Sequence, residues 1–191
     1  MKKGLLIVFS GVSGVGKGTI LDRLMPMEDL NLAYSVSMTT RAPREGEVEG
    51  EDYFFVSKKR FVEAIRNDEL LEHARFVGND YGTPRAYVEQ QQALGRNVIL
   101  EIEIRGAKQI MEKCPDALSI YIVPPSIEEL ERRLRARSTE DEETIMKRVA
   151  KAKREMKDID FYEHVVCNDV LDTAVEEIRQ IILDEIRESE S

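Results

Sequence analysis

Tryptophan, cysteine, histidine and long apolar runs are all scarce in this chain of 191 residues. There is no tryptophan, and there are only two histidines and two cysteines. Neither Cys114 nor Cys167 has the spacing of a metal ligand, so we expect two free, partly buried thiols, the alternative being a disulfide or a redox switch. No serine–histidine or paired-acid arrangement stands out, so the sequence gives no sign of a hydrolytic triad.

No apolar run approaches the length of about 20 residues that spans a membrane. The run that follows Met1-Lys2-Lys3 is too short for the apolar core of a secretion signal, and no cleavage site follows it. We therefore predict a cytoplasmic protein that has no membrane partner.

Basic residues are also fewer than acidic residues. The chain has 28 lysines and arginines against 37 aspartates and glutamates, which gives a net charge of −9. This acidic balance argues against a nucleic-acid polymer or an anionic membrane as the main partner. We expect any anionic ligand to be small and to be bound by local arginines.

The chain does have the composition of a globular domain, with 42% hydrophobic and 34% charged residues. Its length predicts a single domain, 1–191. Apolar runs alternate with helical patterns, which predicts an α/β fold with a parallel core sheet covered on both faces. The predicted strands are 5–9, 97–103, 118–123 and 164–168, and the predicted helices are 17–25, 105–113, 126–137, 140–157 and 171–187.

Two regions depart from this alternation, and the core is predicted to be 1–33, 91–125 and 158–191. Residues 34–90 carry short β-like pieces, many turn residues and one helix near 58–68 capped by Ser57, which predicts an antiparallel insert. Residues 126–157 are dense in charge and helical in period. Thr139 and Glu142 fit a capping box at the start of the second helix there.

The segment 10–19 reads SGVSGVGKGT and directly follows the apolar run 5–9. Glycines after a buried strand let successive N–H groups turn inward, and the following helix start favours an anion. Lys17 adds a full charge, so this phosphate-binding loop (P-loop) predicts a nucleoside triphosphate ligand. The alternative is a chance glycine turn, which the strand, the Gly-Lys pair and the helical run after it all disfavour.

One position departs from the general P-loop pattern. Gly18 stands where a serine or threonine hydroxyl usually meets Mg²⁺, and Thr19, one residue later, is better placed for an α-phosphate. No protein metal ligand is therefore certain. We expect Mg²⁺ to be held mainly by phosphate oxygens and water.

A second anion site is indicated by the first part of the insert. Arg41 and Arg44 lie three apart among hydroxyls and glycines, and guanidinium groups bind phosphate bidentately. Tyr53 and Tyr81 add phenolic donors, and Glu47 is suited to orient an arginine. The sequence therefore predicts one site for a triphosphate and one for a monophosphate.

Several motifs in one order over nearly the full length make this chain resemble the guanylate kinase family, the nucleoside monophosphate kinases that phosphorylate GMP with ATP. These motifs are the loop 10–19, Ser37 to Arg44 with Gly46-Glu47 and Asp52-Tyr53, Leu71-Glu72, Tyr81-Gly82-Thr83, Leu100 to Gly106, Pro124-Pro125-Ser126, Arg133 to Arg137, and Val166 to Asp169.

The resemblance implies a P-loop NTPase-type three-layer fold with a mostly β GMP-binding insert, 34–90, and a helical lid, 126–157. It implies Mg²⁺ as cofactor, ATP as donor, GMP and dGMP as acceptors, and a monomer or homodimer. The residues it assigns to ATP are Gly11, Val12, Ser13, Gly14, Val15, Gly16, Lys17, Gly18, Thr19 and Asn168. Those it assigns to GMP are Ser37, Arg41, Arg44, Glu47, Tyr53, Glu72, Tyr81, Thr83, Glu101 and Glu103.

Glu72 has a chemical reason to read guanine. Guanine presents an N1–H and an N2 amino group side by side, which one carboxylate accepts, whereas adenine would leave that carboxylate unpaired. The alternative, in which Glu72 has no binding role, is a surface carboxylate on an edge strand. His73, its neighbour in a strand, is expected to face the other way.

The resemblance assigns catalysis to Lys17, Arg41, Arg133, Arg137 and Arg148, the last three closing over the phosphates. Ordinary solvated ion pairs are the alternative for this region, namely Glu128–Arg132, Glu129–Arg133 and Glu131–Arg135. We leave Arg132 and Arg135 as surface residues.

This chain differs from the usual family pattern at Glu101 and Glu103, where Asp is more common, and at Arg105, where Gln is usual. Two other functions remain open. One is a non-catalytic domain that binds phosphorylated peptides, and the other is a kinase on the same scaffold that acts on a sugar bisphosphate or on AMP.

Overall fold

The computed structural model describes residues 3–136 and 141–190, so the predicted Arg137 and Thr139 lie outside the described residues. The strands are β1 Leu6–Gly11, β2 Leu32–Tyr34, β3 Ser37–Thr39, β4 Tyr53–Phe55, β5 Leu70–Phe76, β6 Asn79–Pro84, β7 Asn97–Glu101, β8 Leu118–Val123 and β9 His164–Cys167. The helices are α1 Lys17–Leu24, α2 Lys58–Arg66, α3 Arg85–Ala93, α4 Ile104–Lys113, α5 Ile127–Ala136, α6 Glu142–Glu155 and α7 Leu171–Glu190, and Glu28–Leu30 is a short 3₁₀ turn.

The strands form two sheets. The order in the five-stranded sheet is β2-β7-β1-β8-β9, and in the four-stranded sheet it is β4-β3-β6-β5. The five-stranded sheet is parallel, and its strands β1, β7 and β8 are almost entirely buried. The predicted α/β fold with an apolar parallel core sheet is confirmed.

The chain divides into two compact units. The first unit contains the residues up to Val8 together with Ala33–Ala117, and the second contains Phe9–Leu32 and the chain from Leu118 onward. The predicted boundaries of insert and lid, 34–90 and 126–157, stay predictions.

In the first unit, helix α2 packs on the four-stranded sheet. Phe61 and Ala64 of the helix and Met38 and Leu70 of the strands form a buried cluster, with Phe54 packed against it. Ser57 caps α2, because its side chain accepts a hydrogen bond from the backbone N–H of Arg60 at 3.1 Å. The predicted helix and its cap are both confirmed.

The four-stranded sheet is mixed, so the prediction of an antiparallel insert was wrong for one pair. Strand β3 is antiparallel to β6 but parallel to β4, with Ser37 opposite Tyr53. The long connection 40–52 allows this arrangement, since a parallel neighbour needs a crossover where an antiparallel one needs only a turn. Strand β6 was missed, because the sequence NDYGTP has none of the usual strand alternation.

In the second unit, β8 and β9 pair in parallel, with Ile120 opposite His164. Helix α6 starts differently from the prediction. Its N-cap is Asp141, whose Oδ1 accepts the N–H of Thr144 at 2.7 Å, so the predicted capping box with Glu142 is wrong. A carboxylate one residue before the helix both accepts the free N–H and complements the helix dipole.

Other expectations are refined by the structure. Strand β7 ends at Glu101, so Glu103 is the N-cap of α4 and not a strand residue. Both cysteines are free thiols as predicted, but Cys167 is exposed, and only Cys114 is partly buried. In the described part of the chain, no helix combines the length and apolar character needed to cross a bilayer.

Ser57→Ala should lower the free energy of unfolding by about 1 kcal/mol, because it removes the acceptor of the Arg60 N–H at the start of α2. Urea unfolding monitored by circular dichroism measures this. Ser57→Asp is the matched control and should retain most of the stability. Equal loss in both variants would show that the cap does not stabilise this helix.

Candidate functional site

The glycine loop of the second unit joins β1 to α1. Gly14 and Gly16 have φ angles of 89° and 98°, in the left-handed region that favours glycine. Val12 and Val15 of the same loop are buried and anchor it to the core. Gly16 is the N-cap of α1, so the free N–H groups of the helix start face the loop.

Lys17 lies at the first position of α1 and folds back over the loop. Its Nζ donates to the carbonyl oxygen of Gly11 at 2.9 Å and to that of Val12 at 3.4 Å. The ammonium is thereby held at the rim of the loop. A Cβ built on Gly18 meets nothing within 4 Å, so the missing hydroxyl at this position is not enforced by crowding among the described residues.

Asn168 supports the loop from the end of β9. It is buried, and its Nδ2 donates to the carbonyl of Val15 at 2.8 Å. A Cβ on Gly16 would lie 2.9 Å from the same Nδ2. Glycine at position 16 is therefore required twice, for its φ angle and for the approach of this amide.

Arg133 of α5 is fixed against the Asn168 segment. It donates to the carbonyls of Asn168 at 2.7 Å and Asp169 at 3.3 Å, and to Glu129 at 2.8 Å. A cavity of about 350 Å³ is lined by Gly14, Val15, Gly16, Thr19, Arg132, Arg133, Ala136, Asn168, Asp169 and Leu171. Of the predicted ATP and catalytic residues, this cavity brings together Gly14, Val15, Gly16, Thr19, Arg133 and Asn168, whereas Gly11, Val12, Ser13, Lys17, Gly18 and Arg148 do not line it.

Glu129 is shared by two arginines. Its carboxylate accepts bonds from both Arg132 and Arg133, and these bonds lower the pKa of Glu129 to about 2. The expected Glu128–Arg132 pair is therefore replaced by a pair with Glu129. Arg132 is exposed but lines the cavity, so the prediction of a pure surface residue was incomplete.

Two further arginines of α5 and α6, Arg135 and Arg148, differ in their surroundings. Arg135 pairs with Glu131, as predicted, and also with Glu142 of α6. Arg148 is half-buried on α6.

In the first unit, Glu47 organises the predicted arginine pair. Its carboxylate accepts two bonds from the Arg41 guanidinium, at 3.0 and 2.7 Å, and the backbone N–H of Arg44 at 2.7 Å. These bonds lower the pKa of Glu47 and raise that of Arg41. The Arg41 guanidinium also lies 5.2 Å from the ring centre of Tyr53, and the Tyr53 and Tyr81 rings meet edge to face at 6.1 Å.

Glu72 is the buried carboxylate of this unit, with 5% of its surface exposed. The pairing of β5 with β6 shifts by one residue between Leu70 and His73, so Leu71 and Glu72 together oppose Thr83. This bulge breaks the alternation and directs Glu72 inward, while His73 is exposed, as expected. The surface-carboxylate alternative is thereby excluded.

The Glu72 carboxylate is constrained by one hydrogen bond and by its close approach to the backbone of Gly106. The Thr83 hydroxyl donates to its Oε1 at 2.7 Å, and a Cβ on Gly106 of α4 would lie only 2.6 Å from its Oε2. Burial raises the pKa of Glu72, against the opposing effects of the Thr83 hydrogen bonds and the Lys113 charge. The side chain is thus a constrained, partly compensated charge.

Glu72 lies in a cavity of about 280 Å³ that is contained in the first unit. Its lining residues are Tyr34, Ser35, Ser37, Asp52, Tyr53, Glu72, Ala74, Arg75, Phe76, Tyr81, Glu101, Ile102, Glu103, Arg105 and Gly106. Six predicted GMP residues therefore share one cavity: Ser37, Tyr53, Glu72, Tyr81, Glu101 and Glu103. Arg41, Arg44, Glu47 and Thr83 do not line it.

Several lining residues were missed by the sequence reasoning. Tyr34 donates its hydroxyl to Glu101 at 3.1 Å, and burial together with this carboxylate raises the pKa of Tyr34. Ser35 and Arg75 also line the cavity. Tyr34 and Ser35 lie shortly before a motif residue, Ser37, but no periodicity distinguishes them.

A glycine loop between a buried parallel strand and a helix defines this chain as an α/β protein of the P-loop NTPase class. The family model described as guanylate kinase matches residues 3–185. The chain therefore belongs to the guanylate kinase family.

Individual relatives agree with this assignment. The chain is 54% identical over 182 residues to guanylate kinase of Mycoplasma mycoides, covering 95% of this chain and 61% of that protein. It is 49% identical to guanylate kinase of Latilactobacillus sakei, covering 94% and 89%. The crystal structure of guanylate kinase from Anaplasma phagocytophilum is similar with a TM-score of 0.74 and 34% identity, covering 96% and 87%. The chain spans about three fifths of the length of the Mycoplasma relative.

Glu72→Gln should stabilise the protein at neutral pH, and the gain should vanish in acid. Between the ordinary glutamate pKa and the raised pKa in the fold, folded Glu72 keeps a proton that the unfolded chain releases, so wild-type stability falls as pH rises. Glutamine keeps an acceptor for Thr83 but cannot ionise. Urea unfolding of both proteins between pH 4 and 8 measures the difference, and a difference that is constant with pH would contradict the buried-charge argument.

Proposed function

We propose that this protein is a guanylate kinase, which transfers the γ-phosphoryl group of ATP to GMP and yields ADP and GDP. The observation that carries the proposal is the Glu72 carboxylate, buried beside Thr83 in a cavity of the first unit. The glycine loop of the second unit supplies the other half, a site for the donor triphosphate.

The acceptor base is recognised by its hydrogen-bond pattern. A buried carboxylate is an acceptor only, and the N1–H and N2 amino group of guanine are adjacent donors. Adenine has an acceptor at N1 and would leave the charge without a partner, at a cost of about 1–3 kcal/mol or more. Ser37 shares the cavity, and Thr83 orients the carboxylate.

The acceptor phosphate is assigned to Arg41, Arg44, Tyr53 and Tyr81. Glu47 holds Arg41 in one orientation through two hydrogen bonds and tethers the backbone of Arg44. A preoriented guanidinium loses less freedom when it binds a phosphate bidentately. Glu101 and Glu103 line the nucleoside cavity and are assigned to the nucleoside side of GMP, or of dGMP as a second acceptor.

The donor triphosphate is assigned to the loop N–H groups from Gly11 to Thr19 and to Lys17. The described residues contain no group of three or more His, Cys, Asp or Glu side chains suited to a metal. Gly18 has no hydroxyl to coordinate a metal ion. We therefore assign the Mg²⁺ ligands to the phosphate oxygens of ATP and to water. When bound, Mg²⁺ supplies positive charge to the triphosphate. Asn168 packs against the loop and is assigned to the ATP side.

The reaction needs no general base. The second pKa of a phosphate monoester is about 6, so the acceptor oxygen is anionic at neutral pH. Catalysis then consists of positioning and of placing positive charge around the transferred group. We assign this charge to Lys17, Arg41, Arg133, Arg137 and Arg148.

Residues 126–157, which contain α5 and α6, are proposed as a lid that excludes water when both nucleotides are bound. Arg133 is the lid residue whose contacts support this best, because it already binds the carbonyls beside Asn168. A closing lid explains why ATP hydrolysis without an acceptor should be slow.

A panel of nucleoside monophosphates with ATP and Mg²⁺ tests the proposal. Wild type should prefer GMP strongly over AMP, CMP and UMP in a coupled assay. Glu72→Gln should raise the KM for GMP at least about 10-fold, because it removes the charged acceptor, and should leave the KM for ATP unchanged.

Two outcomes of the panel would contradict the proposal. Equal turnover of AMP and GMP would exclude the guanine-reading role of the cavity. A protein that binds GMP but transfers no phosphoryl group would be a binding module and not a kinase.

Lys17→Ala should lower kcat at least about 100-fold, because the γ-phosphoryl group loses its nearest fixed cation. GMP binding, measured by calorimetry, should stay within about 2-fold of wild type, since Lys17 belongs to the other unit. Lys3→Ala serves as a control for loss of one positive charge. Turnover of Lys17→Ala close to wild type would remove the glycine loop from the mechanism.

A further inference from the structure

Ser35 is a buried residue of the first unit that no step above uses. It lies between β2 and β3, and its backbone N–H donates to the carbonyl of Ile99 at 3.0 Å. Only 5% of its surface is exposed, and its neighbours Ala33 and Val36 are buried as well. The position is therefore a fixed part of the interior.

The Ser35 hydroxyl has no hydrogen-bond partner among residues 3–136 and 141–190. A buried hydroxyl without a partner destabilises the fold, and alanine would fill the site without this cost. Two buried hydroxyls of the same kind are paired. Thr83 donates to Glu72 at 2.7 Å, and Ser119, fully buried in the second unit, accepts the N–H of Glu163 at 2.9 Å.

The unpaired hydroxyl belongs to the same cavity as Glu72. Ser35, Ser37 and Glu72 all line this space of about 280 Å³. Of the residues assigned to the acceptor phosphate, Tyr53 and Tyr81 line this cavity, and Arg41 and Arg44 do not. Because Ser35 shares the cavity with Glu72 and Ser37, the residues assigned to the base, we place the ligand group that reaches it on the nucleoside.

We propose that the Ser35 hydroxyl binds the nucleoside part of the acceptor monophosphate, so that the bound ligand satisfies a polar group that the free protein leaves unpaired. The inference rests on the proposed function. A hydroxyl both donates and accepts, which suits a purine nucleoside that carries ring acceptors, an amino group and ribose hydroxyls. Ser35 then contacts the bound acceptor, and the hydrogen bond it forms offsets the free-energy cost of its unpaired hydroxyl in the ligand-free protein.

This role predicts an unusual combination of effects for Ser35→Ala. The melting temperature of the free protein should stay the same or rise, because an unpaired buried hydroxyl is removed. The Kd and KM for GMP should increase about 3- to 10-fold, the value of one lost hydrogen bond, and the KM for ATP should not change. Calorimetry with GMP, steady-state kinetics and thermal unfolding measure these quantities.

Two further variants separate a binding role from a structural one. Ser119→Ala removes a paired buried hydroxyl and should lower the melting temperature while leaving GMP affinity unchanged. Ser35→Thr keeps a hydroxyl and should bind GMP more tightly than Ser35→Ala. Equal weakening in Ser35→Ala and Ser35→Thr would assign the effect to shape and would overturn the proposal.

The remaining outcomes are equally decisive. Unchanged GMP affinity in Ser35→Ala, with wild type binding GMP normally, overturns this inference and leaves the proposed function intact. A lower melting temperature for Ser35→Ala, or failure to fold, shows a structural hydroxyl and also overturns it. Wild-type protein that fails to bind GMP refutes the proposed function itself.

Discussion

The placement of one buried carboxylate, Glu72, governs the organisation of the cavity in the first unit. Glu72 is buried at the point where β5 carries one extra residue opposite Thr83, a β-bulge that breaks the regular alternation of the strand. Thr83 supplies a hydrogen bond, Gly106 supplies space, and Lys113 supplies a distant positive charge. The desolvated charge is costly to the free protein, and in the proposed function that cost favours a ligand whose hydrogen-bond donors match the carboxylate.

The two predicted sites use opposite strategies. At the glycine loop, the backbone itself is the binding group, so the sequence needs glycines at positions 14 and 16 and few functional side chains. At the cavity of the first unit, side chains from several strands and one helix converge. In the same unit but outside the lining of that cavity, the Glu47 carboxylate fixes the Arg41 guanidinium before any ligand binds. Both arrangements are fixed within their own unit, which suits reactions that depend on preoriented groups.

The sequence predicted those features that depend on local chemistry. The glycine loop, the all-apolar strands and the Ser57 cap follow from short-range rules, and the structure has all three. It did not predict features set by tertiary pairing. The parallel β3–β4 pair depends on where the connection 40–52 returns, and β6 lacks a strand pattern. Asp141 is the N-cap of α6, one residue before a helix start that the sequence pattern placed earlier. The cavity residues Tyr34 and Ser35 carry no sequence signal, since only folding brings them to Glu72.

The first turn of α4 illustrates how a residue without a functional group becomes indispensable. Glycine is a poor helix former, so Gly106 in the first turn of α4 is not explained by helix propensity. The Glu72 carboxylate occupies the volume that a side chain at position 106 would need, so a methyl group there would lie 2.6 Å from Glu72 Oε2 and force the carboxylate to shift. Glycine at position 106 should therefore be among the least replaceable residues of this helix.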